Sequence, residues 1–393
     1  MKFAHLADCH LGSWRQESLQ KLNFQSFQQA LQTCIQEEVE FILIAGDLFD
    51  SAYPPIEILK ETFAEFKKVK DANIPVYLIA GSHDFSASGK TFLDVLEKAG
   101  FCINVEQAEE QDGKIKLKPY MHNNIAIFGY SGKKSGMEIQ DLQKVDFSPQ
   151  TASIFMLHTT IKDVVGNIPM EYLEKEKLPL ADYYAFGHIH KVFKKTEANA
   201  SYVYPGPIFP NNFQELADLR QGSFCIVEWN NKIEVKHVKI KLKDVEYLEL
   251  DITNALTATE QIIEAINKLN LNDKIFLLKL KGKLEQGKTG DIRFNEIEDF
   301  VKKKQAYAFL RSISSLEARE TEIQSGLEDL ENMEHIEEKI IEDYNKNNPA
   351  DFNKYLPQLM NALSIEKNED EKSTIFENRL IDDLKKVLQI DLK

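Results

Sequence analysis

The chain has 393 residues, 43% of them hydrophobic, and a formal net charge of −15. One hydrophobic core rarely serves so long a chain, so two or three units are expected. No apolar run is long enough to span a bilayer, and the first residues lack the basic and apolar regions of a secretory leader, which predicts a soluble intracellular protein.

The acidic balance argues against a chain that binds nucleic acid over its whole surface, because phosphate contacts need Lys and Arg. The acidic residues crowd into the C-terminal part, however, so the total says little about a local site. Bound divalent ions would also invert the field of an acidic cleft. Cys9, Cys34, Cys102 and Cys225 form no C-x-x-C pair, so free buried thiols are expected rather than disulfides or a zinc knuckle.

The first 230 residues alternate short apolar runs with helical patterns. Lys2–Ala7, Phe41–Ala45 and Val76–Ala80 are β-rich runs that each end in a polar cluster. Between them, Leu19–Glu38 and Pro55–Asp71 have helical spacing. Leu59, Phe63, Phe66 and Val69 make an apolar stripe, and Pro54 and Pro55 suit a helix start. Further apolar runs lie at Ile125–Gly129, Ile154–Leu157 and Tyr183–Phe186, with Phe224–Trp229 as the last strand of the layer. Such alternation predicts an α/β sheet.

From Val235 the character changes. Lys236, Lys239, Lys241 and Lys243 interleave with Val235, Val238, Ile240 and Leu242, which predicts a strand with one basic face. Ile262–Leu269 reads as a helix, Lys274–Leu280 as a strand, and Asp291–Phe300 leads into Lys302, Lys303 and Lys304, so a small α+β domain is expected. From Ala306 onward the pattern is helical. Ile336, Ile340 and Tyr344 share one face, Pro349 and Asp351 break and restart the pattern, and Asn368–Lys372 is a charged loop. Phe352, Tyr355, Leu356, Leu359, Met360 and Leu363 form one amphipathic stripe; Phe376, Leu380, Leu384, Val387 and Leu388 form another. Two such helices can dock on the parent domain or fit a partner's groove, and spacing leaves both open.

Five polar clusters fall at the ends of predicted strands: Asp8-Cys9-His10, Gly46-Asp47, Gly81-Ser82-His83-Asp84, His158 and Gly187-His188-Ile189-His190. Ligands of open α/β sheets gather at the carboxyl ends of strands, so the clusters can converge. Five of the nine histidines sit in them. Singly each is weak, because a Gly-Asp after a strand is usually a turn. His188 and His190 are expected to face one side as alternate strand residues. As an ordered set the clusters have no packing explanation. Carboxylate and imidazole donors without thiolates suit manganese, iron or zinc in a catalytic site. Two ions about 3.5–4 Å apart can share a carboxylate, clamp a phosphate and activate a water. His83, with Asp84 to orient it, suits protonation of the leaving oxygen.

In this order the five clusters resemble the signature of calcineurin-like metallophosphoesterases. His5-Leu-Ala-Asp-Cys-His-Leu-Gly12, Ala45-Gly-Asp-Leu-Phe-Asp50 and Tyr204-Pro-Gly-Pro207 are similar to the SbcD-type DNA double-strand break repair nucleases, above all their Mre11 branch. The resemblance covers residues 1–235 and implies a metallophosphoesterase β-sandwich flanked by helices. After it come, by position and pattern, a DNA-capping α+β domain at 236–305, a helical linker at 306–350 and helices at 351–393 that dock a Rad50/SbcC-type ATPase. The resemblance implies two Mn2+ per chain. It assigns the first to Asp8, His10, Asp47 and His190, and the second to Asp47, Ser82, His158 and His188, with Asp47 bridging. His83 and Asp84 become the catalytic pair.

The implied activity is 3′–5′ exonuclease on duplex DNA and endonuclease on single strands, by a cytoplasmic, nucleoid-associated protein of prokaryotic type. The implied partners are DNA ends, the ATPase and a second copy of the chain, with no membrane. A dimer of the family kind would use Leu59, Phe63 and Leu93, which read more simply as core. Lys133, Lys134, Lys191, Lys194 and Lys195 can track a phosphate backbone or be ordinary solvated surface. Two residues depart from the family pattern. Ser82 stands where an Asn amide is usual, and Asp50 where many relatives carry His. Both motivate another reading, a DNA-end scaffold with weak catalysis; a third, hydrolysis of a phosphoprotein or small phosphodiester, stays open because the phosphoesterase core alone does not exclude it.

Overall fold

Lys2–Leu6, Phe41–Ala45 and Val76–Ile79 are apolar on both faces, and that dictates a layered fold. One face of these strands carries Ala4, Leu6, Ile42, Ile44, Val76 and Leu78, packed with Phe24, Phe27, Leu59 and Phe66 from the helices Glu17–Gln36 and Ile56–Asp71. The other face carries Phe3, Phe41, Leu43, Tyr77 and Ile79, packed with Ile127, Ile154, Met156, Tyr183 and Val203 of a second sheet. A computed structural model describes this arrangement for residues 1–85, 91–133, 136–166, 171–317, 355–363 and 373–388.

Each main sheet has six strands. In spatial order the first is Ile233–Ile240, Gly222–Trp229, Lys2–Leu6, Phe41–Ala45, Val76–Ile79 and Ile103–Asn104. The last four run parallel, and the first two join as an antiparallel hairpin. The second sheet runs Val192–Glu197, Ala200–Pro205, Tyr183–Gly187, Ser153–His158, Ile125–Tyr130 and Tyr120–His122. Its four central strands are parallel. A small sheet of Ala108–Gln111, Lys114–Leu117 and Val145–Asp146 covers part of the second sheet's outer face through Ile115, Leu117 and Val145. The α/β expectation therefore becomes a helix-flanked β-sandwich.

Three parallel strands, Val245–Asp251, Ile275–Lys283 and Ala308–Glu317, form a separate sheet. One face is covered by the helices Ala255–Asn267 and Phe294–Lys303, around Ile262, Ile266, Leu278 and Ile297. The opposite face presents Val245, Ile275, Leu277 and Ala308 to Leu19, Leu22, Phe209 and Leu216 of the sandwich. Cap and sandwich thus share a hydrophobic cluster.

Two sequence expectations are corrected. The basic strand at Val235 closes the sandwich and does not open the cap: Asn230, Asn231 and Lys232 turn the chain, and Cys225 pairs with His237. The strand that crosses residue 235 belongs to the first sheet throughout. Residues 308–317, expected to be helical, are the third cap strand, because pairing Phe276 with Phe309 and Leu277 with Leu310 completes a parallel ladder that local pattern does not announce. The helical face at Ile336, Ile340 and Tyr344, the charged loop Asn368–Lys372, Phe352 and Lys134 lie outside the described residues.

Residues 319–393 form a second unit, in which the helices Leu356–Leu363 and Ser373–Leu388 touch each other. Among the described residues no helix is long and apolar enough to cross a membrane. Leu59, Phe63 and Leu93 belong to the core beneath the first sheet. All four cysteines are free and buried.

Phe41 lies between the two sheets: its ring stacks on Phe3 of its own sheet at 4.9 Å and lies 4.7 Å from the His122 ring of the other. Phe41→Ala is expected to destabilise the sandwich by about 3–5 kcal/mol, read from the urea midpoint of its unfolding transition.

Candidate metal centre

The parallel strands of both sheets deliver their carboxyl ends to one edge, and the five clusters meet there. The meeting is close. The Asp8 N–H donates to the Gly46 carbonyl at 3.1 Å, and Gly132 donates across the sheets to Ala80 at 2.9 Å. A side chain at Gly187 would run into the Ala45 carbonyl, and one at Gly46 into the His158 ring. Only glycine permits this approach. Asp8, His10, Asp47 and His188 all have positive φ, at 50°, 44°, 51° and 89°. Left-handed backbone at non-glycine residues costs of order 1–3 kcal/mol each and clusters at functional sites. His188 and His190 accordingly reach the centre from a turn and not as alternate residues of a strand. The strand stops at Gly187, and the turn after it aims them separately.

Asp8 and Asp47 are buried carboxylates. Asp47 Oδ1 accepts the His83 N–H at 2.8 Å. Its Oδ2 lies 3.1 Å from His158 Nε2 and 3.6 Å from His10 Nε2. One oxygen is therefore within reach of two imidazoles. Asp8 Oδ1 accepts the His188 N–H at 2.8 Å and lies 3.9 Å from both His190 Nε2 and His158 Nδ1, whereas Asp8 Oδ2 is buried without a hydrogen bond. Asp8, His10 and His190 form one compact group of donor atoms, and Asp8, Asp47 and His158 another.

The outer nitrogens of the rings are held by oxygens. His158 Nδ1 donates to the Ala45 carbonyl at 2.9 Å, and His190 Nδ1 donates to Glu215 Oε1 at 3.0 Å. Carbonyl and carboxylate oxygens only accept, so both protons sit on Nδ1 and both Nε2 atoms face inward. His10 Nδ1 lies 3.3 Å from Asp50 Oδ1, which favours the same tautomer. His10 Nε2 and His190 Nε2 then approach to 3.1 Å. Two bare lone pairs repel at that distance. Two nitrogens bound at about 2.1 Å to one ion, roughly at right angles, stand about 3 Å apart. Asp8 Oδ2 is a further buried oxygen with no hydrogen bond of its own. The residues fit divalent cations held by oxygen and nitrogen.

Electrostatics agree. Burial alone would lower the His158 pKa, but Asp47 and Asp8 outweigh it and push it up to about 10. Burial alone would raise Asp47, yet His158 and His10 hold it far below the usual carboxylate range. His188, buried beside His158, falls to about 4. In the cation-free chain a proton on His158 supplies the positive charge that the carboxylates need.

His83 is nearly half exposed, at 47% for its side chain, and its ring meets His10 edge-on at 4.7 Å. Its Nδ1 donates to the Asp50 carbonyl at 2.9 Å, which leaves Nε2 for a substrate. Asp84 is not its partner, contrary to expectation. Both Asp84 oxygens accept backbone N–H groups, from Gly81, Leu48 and Phe49 at 3.0–3.2 Å. Burial and the neighbouring Asp47 push Asp84 up to about 6 against those donors. Asp84 thus pins the Gly81–Asp84 turn to the end of the second strand, and Asp50 orients His83. Ser82 is half-buried on that turn.

Sequence reasoning missed Glu215 altogether, although Asn212 followed three residues later by Glu is a helix-start signal. Of the lysines, Lys133 is paired with Asp141 at 2.6 Å and Lys195 with Asp163 at 2.6 Å, while Lys191 and Lys194 are exposed.

The His158 shift sets a pH dependence. Its folded pKa lies above the ordinary 6.5, so its contribution is complete below 6.5 and is lost as the pH climbs toward 10. A divalent cation held by the same donors would take the place of that proton. Added Mn2+ is expected to raise the melting temperature more near pH 8.5 than near pH 6.5, relative to EDTA. Equal increments at both pH values would reject the exchange.

Residues 1–192 match the family described as calcineurin-like phosphoesterase. The DNA double-strand break repair protein Mre11 of Methanocaldococcus jannaschii is 27% identical over 281 residues, covering 68% of this chain and 73% of that protein. Mre11 of Archaeoglobus fulgidus is 29% identical over 258 residues, covering 60% of this chain and 55% of that protein. The uncharacterized metallophosphoesterase YhaO of Bacillus subtilis is 25% identical over 279 residues, covering 67% of each. With the Asp and His clusters gathered at one edge of a helix-flanked sandwich, residues 1–192 are a calcineurin-like phosphoesterase domain, similar in sequence to the Mre11 DNA double-strand break repair proteins, and the chain is a metal-dependent phosphodiester hydrolase.

Proposed function

We propose that the chain is a manganese-dependent DNA nuclease that processes double-strand ends, as a 3′–5′ exonuclease on duplexes and an endonuclease on single strands. The observation that carries it is the single oxygen, Asp47 Oδ2, within 3.1 and 3.6 Å of the inward nitrogens of His158 and His10. A bridging carboxylate between two imidazole-lined sites is what a two-ion phosphodiesterase needs. The names of the Mre11 relatives support DNA ends as substrate.

In this reading Asp8, His10, Asp47 and His190 hold the first ion, and Asp47, His158, His188 and Ser82 the second. Manganese suits carboxylate and imidazole donors without thiolate. When bound, the pair supplies Lewis acidity at the phosphate and a more acidic water. The protein's own part is positioning and proton transfer. Asp50 holds Nδ1 of His83 with its carbonyl, so Nε2 meets the leaving oxygen and gives it a proton. The sandwich edge fixes the donor atoms before substrate arrives. The cap at residues 245–317 flanks the DNA, residues 351–393 dock a Rad50/SbcC-type ATPase, and the protein works as a homodimer in the cytoplasm at the nucleoid.

His83→Ala is expected to lower the rate of Mn2+-dependent duplex digestion by roughly 10²–10⁴-fold while Mn2+ still binds. Unchanged digestion removes His83 from the chemistry.

Ser82 favours a second reading, a DNA-end scaffold with weak catalysis, because a hydroxyl is a shorter and poorer ligand than an amide oxygen. Ser82→Asn is expected to tighten the weaker Mn2+ site and raise the nuclease rate. If calorimetry and digestion both match the parent chain, Ser82 does not limit the second site.

A further inference from the structure

Glu215 has no place in the ligand set, yet both its carboxylate oxygens are tied into the centre. It lies in the helix Phe213–Leu219, whose Asn212 side chain accepts the Glu215 N–H at 2.9 Å. Its Oε1 accepts from His190 Nδ1 at 3.0 Å and from Asn212 Nδ2 at 2.6 Å, and its Oε2 accepts the Asn211 N–H at 2.8 Å. Both carboxylate oxygens are therefore committed, and the side chain has one position. Only 19% of that side chain is exposed, and the same fraction of the His190 side chain. Burial strengthens such a bond by removing competing water.

The next residue, Leu216, is buried in the cluster shared with Val245, Ile275, Leu277 and Ala308 of the cap. The helix is thus clamped from one side by cap packing and reaches the centre on the other.

We propose that Glu215 is the positioning residue of the first metal site: it fixes the tautomer and ring plane of His190, from a helix seated on the cap interface, and so sets that site's affinity for a divalent ion. It touches neither ion nor substrate. The proposal rests on the two-ion reading of the centre. A carboxylate behind a ligating imidazole typically contributes a factor of about 10–100 in metal affinity.

The test is Mn2+ titrated by calorimetry into the full-length chain and into Glu215→Gln and Glu215→Ala, with circular dichroism as the check of folding. Gln keeps an oxygen that can accept from Nδ1 but loses the charge, whereas Ala loses both. One class of Mn2+ site is expected to weaken by roughly 10-fold in Glu215→Gln and about 100-fold in Glu215→Ala, the other class staying as in the parent. Partial rescue by Gln is the sign that a merely structural role would not give. If Glu215→Ala does not fold, Glu215→Gln decides alone by the same criterion. Parent-like binding at both sites in the folded variants overturns the proposal, and so does equal loss at both sites. A parent chain that binds no Mn2+ at all would instead overturn the two-ion reading, and this proposal with it.

Discussion

Two carboxylates, Asp8 and Asp47, are buried at the ends of neighbouring parallel strands, and the rest of the site is arranged around their charge. Ionised groups out of water cost several kcal/mol unless opposite charge and hydrogen bonds compensate. The first sheet supplies part of that compensation through His10 and the His83 N–H, while Asp84 from its third strand end adds a further buried carboxyl group. The second sheet supplies more: His158, His188 and His190 come from it, and only the face-to-face packing of the sheets carries them to Asp8 and Asp47. Both carboxylates and His10 come from one layer and His158, His188 and His190 from the other, which makes the sandwich a condition of the chemistry. A cation held by these donors would take over the charge balance that a proton on His158 supplies in the protein alone.

Tautomers are set one shell further out. His158 is held by a backbone carbonyl, His190 by Glu215, and His83 by the carbonyl of Asp50, whose carboxylate also approaches His10. Asp50 thereby changes meaning. As a bare sequence difference it is a negative charge near a phosphate path. In the structure that charge is spent on two imidazoles, and burial's upward pull on its pKa is outweighed by His10, Asn211 and His83, which keep it ionised.

Much of the sandwich was legible because its central strands are apolar runs bounded by turn residues, and the helices between them carry regular stripes. Asp8, His10, Asp47 and His158 could be read because strand ends converge in parallel sheets, a rule that needs no coordinates. What failed was non-local. The strand Ala308–Glu317 has a mixed burial pattern and is a strand only because the cap sheet offers it an edge. The basic strand Ile233–Ile240 went to the wrong unit because a change in composition was taken for a boundary, when a short turn had returned the chain to the same sheet. Asp84 and His83 are adjacent in sequence, yet neighbouring side chains on a tight turn point apart. Glu215 lay outside every cluster, 25 residues from the histidine it holds.

The cap can be placed by the same logic. A small phosphodiester needs only the edge of the sandwich, and a cap added for no purpose would be tethered by a linker. Here its sheet buries Val245, Ile275, Leu277 and Ala308 against Leu19 and Leu22 of the first helix and Leu216 of the helix that carries Glu215. The first helix follows the loop that bears His10, and the other holds His190. Both elements that brace the first group of donors are thus braced in turn by the cap. A domain that contributes none of these donor atoms is built into the rigidity of the centre.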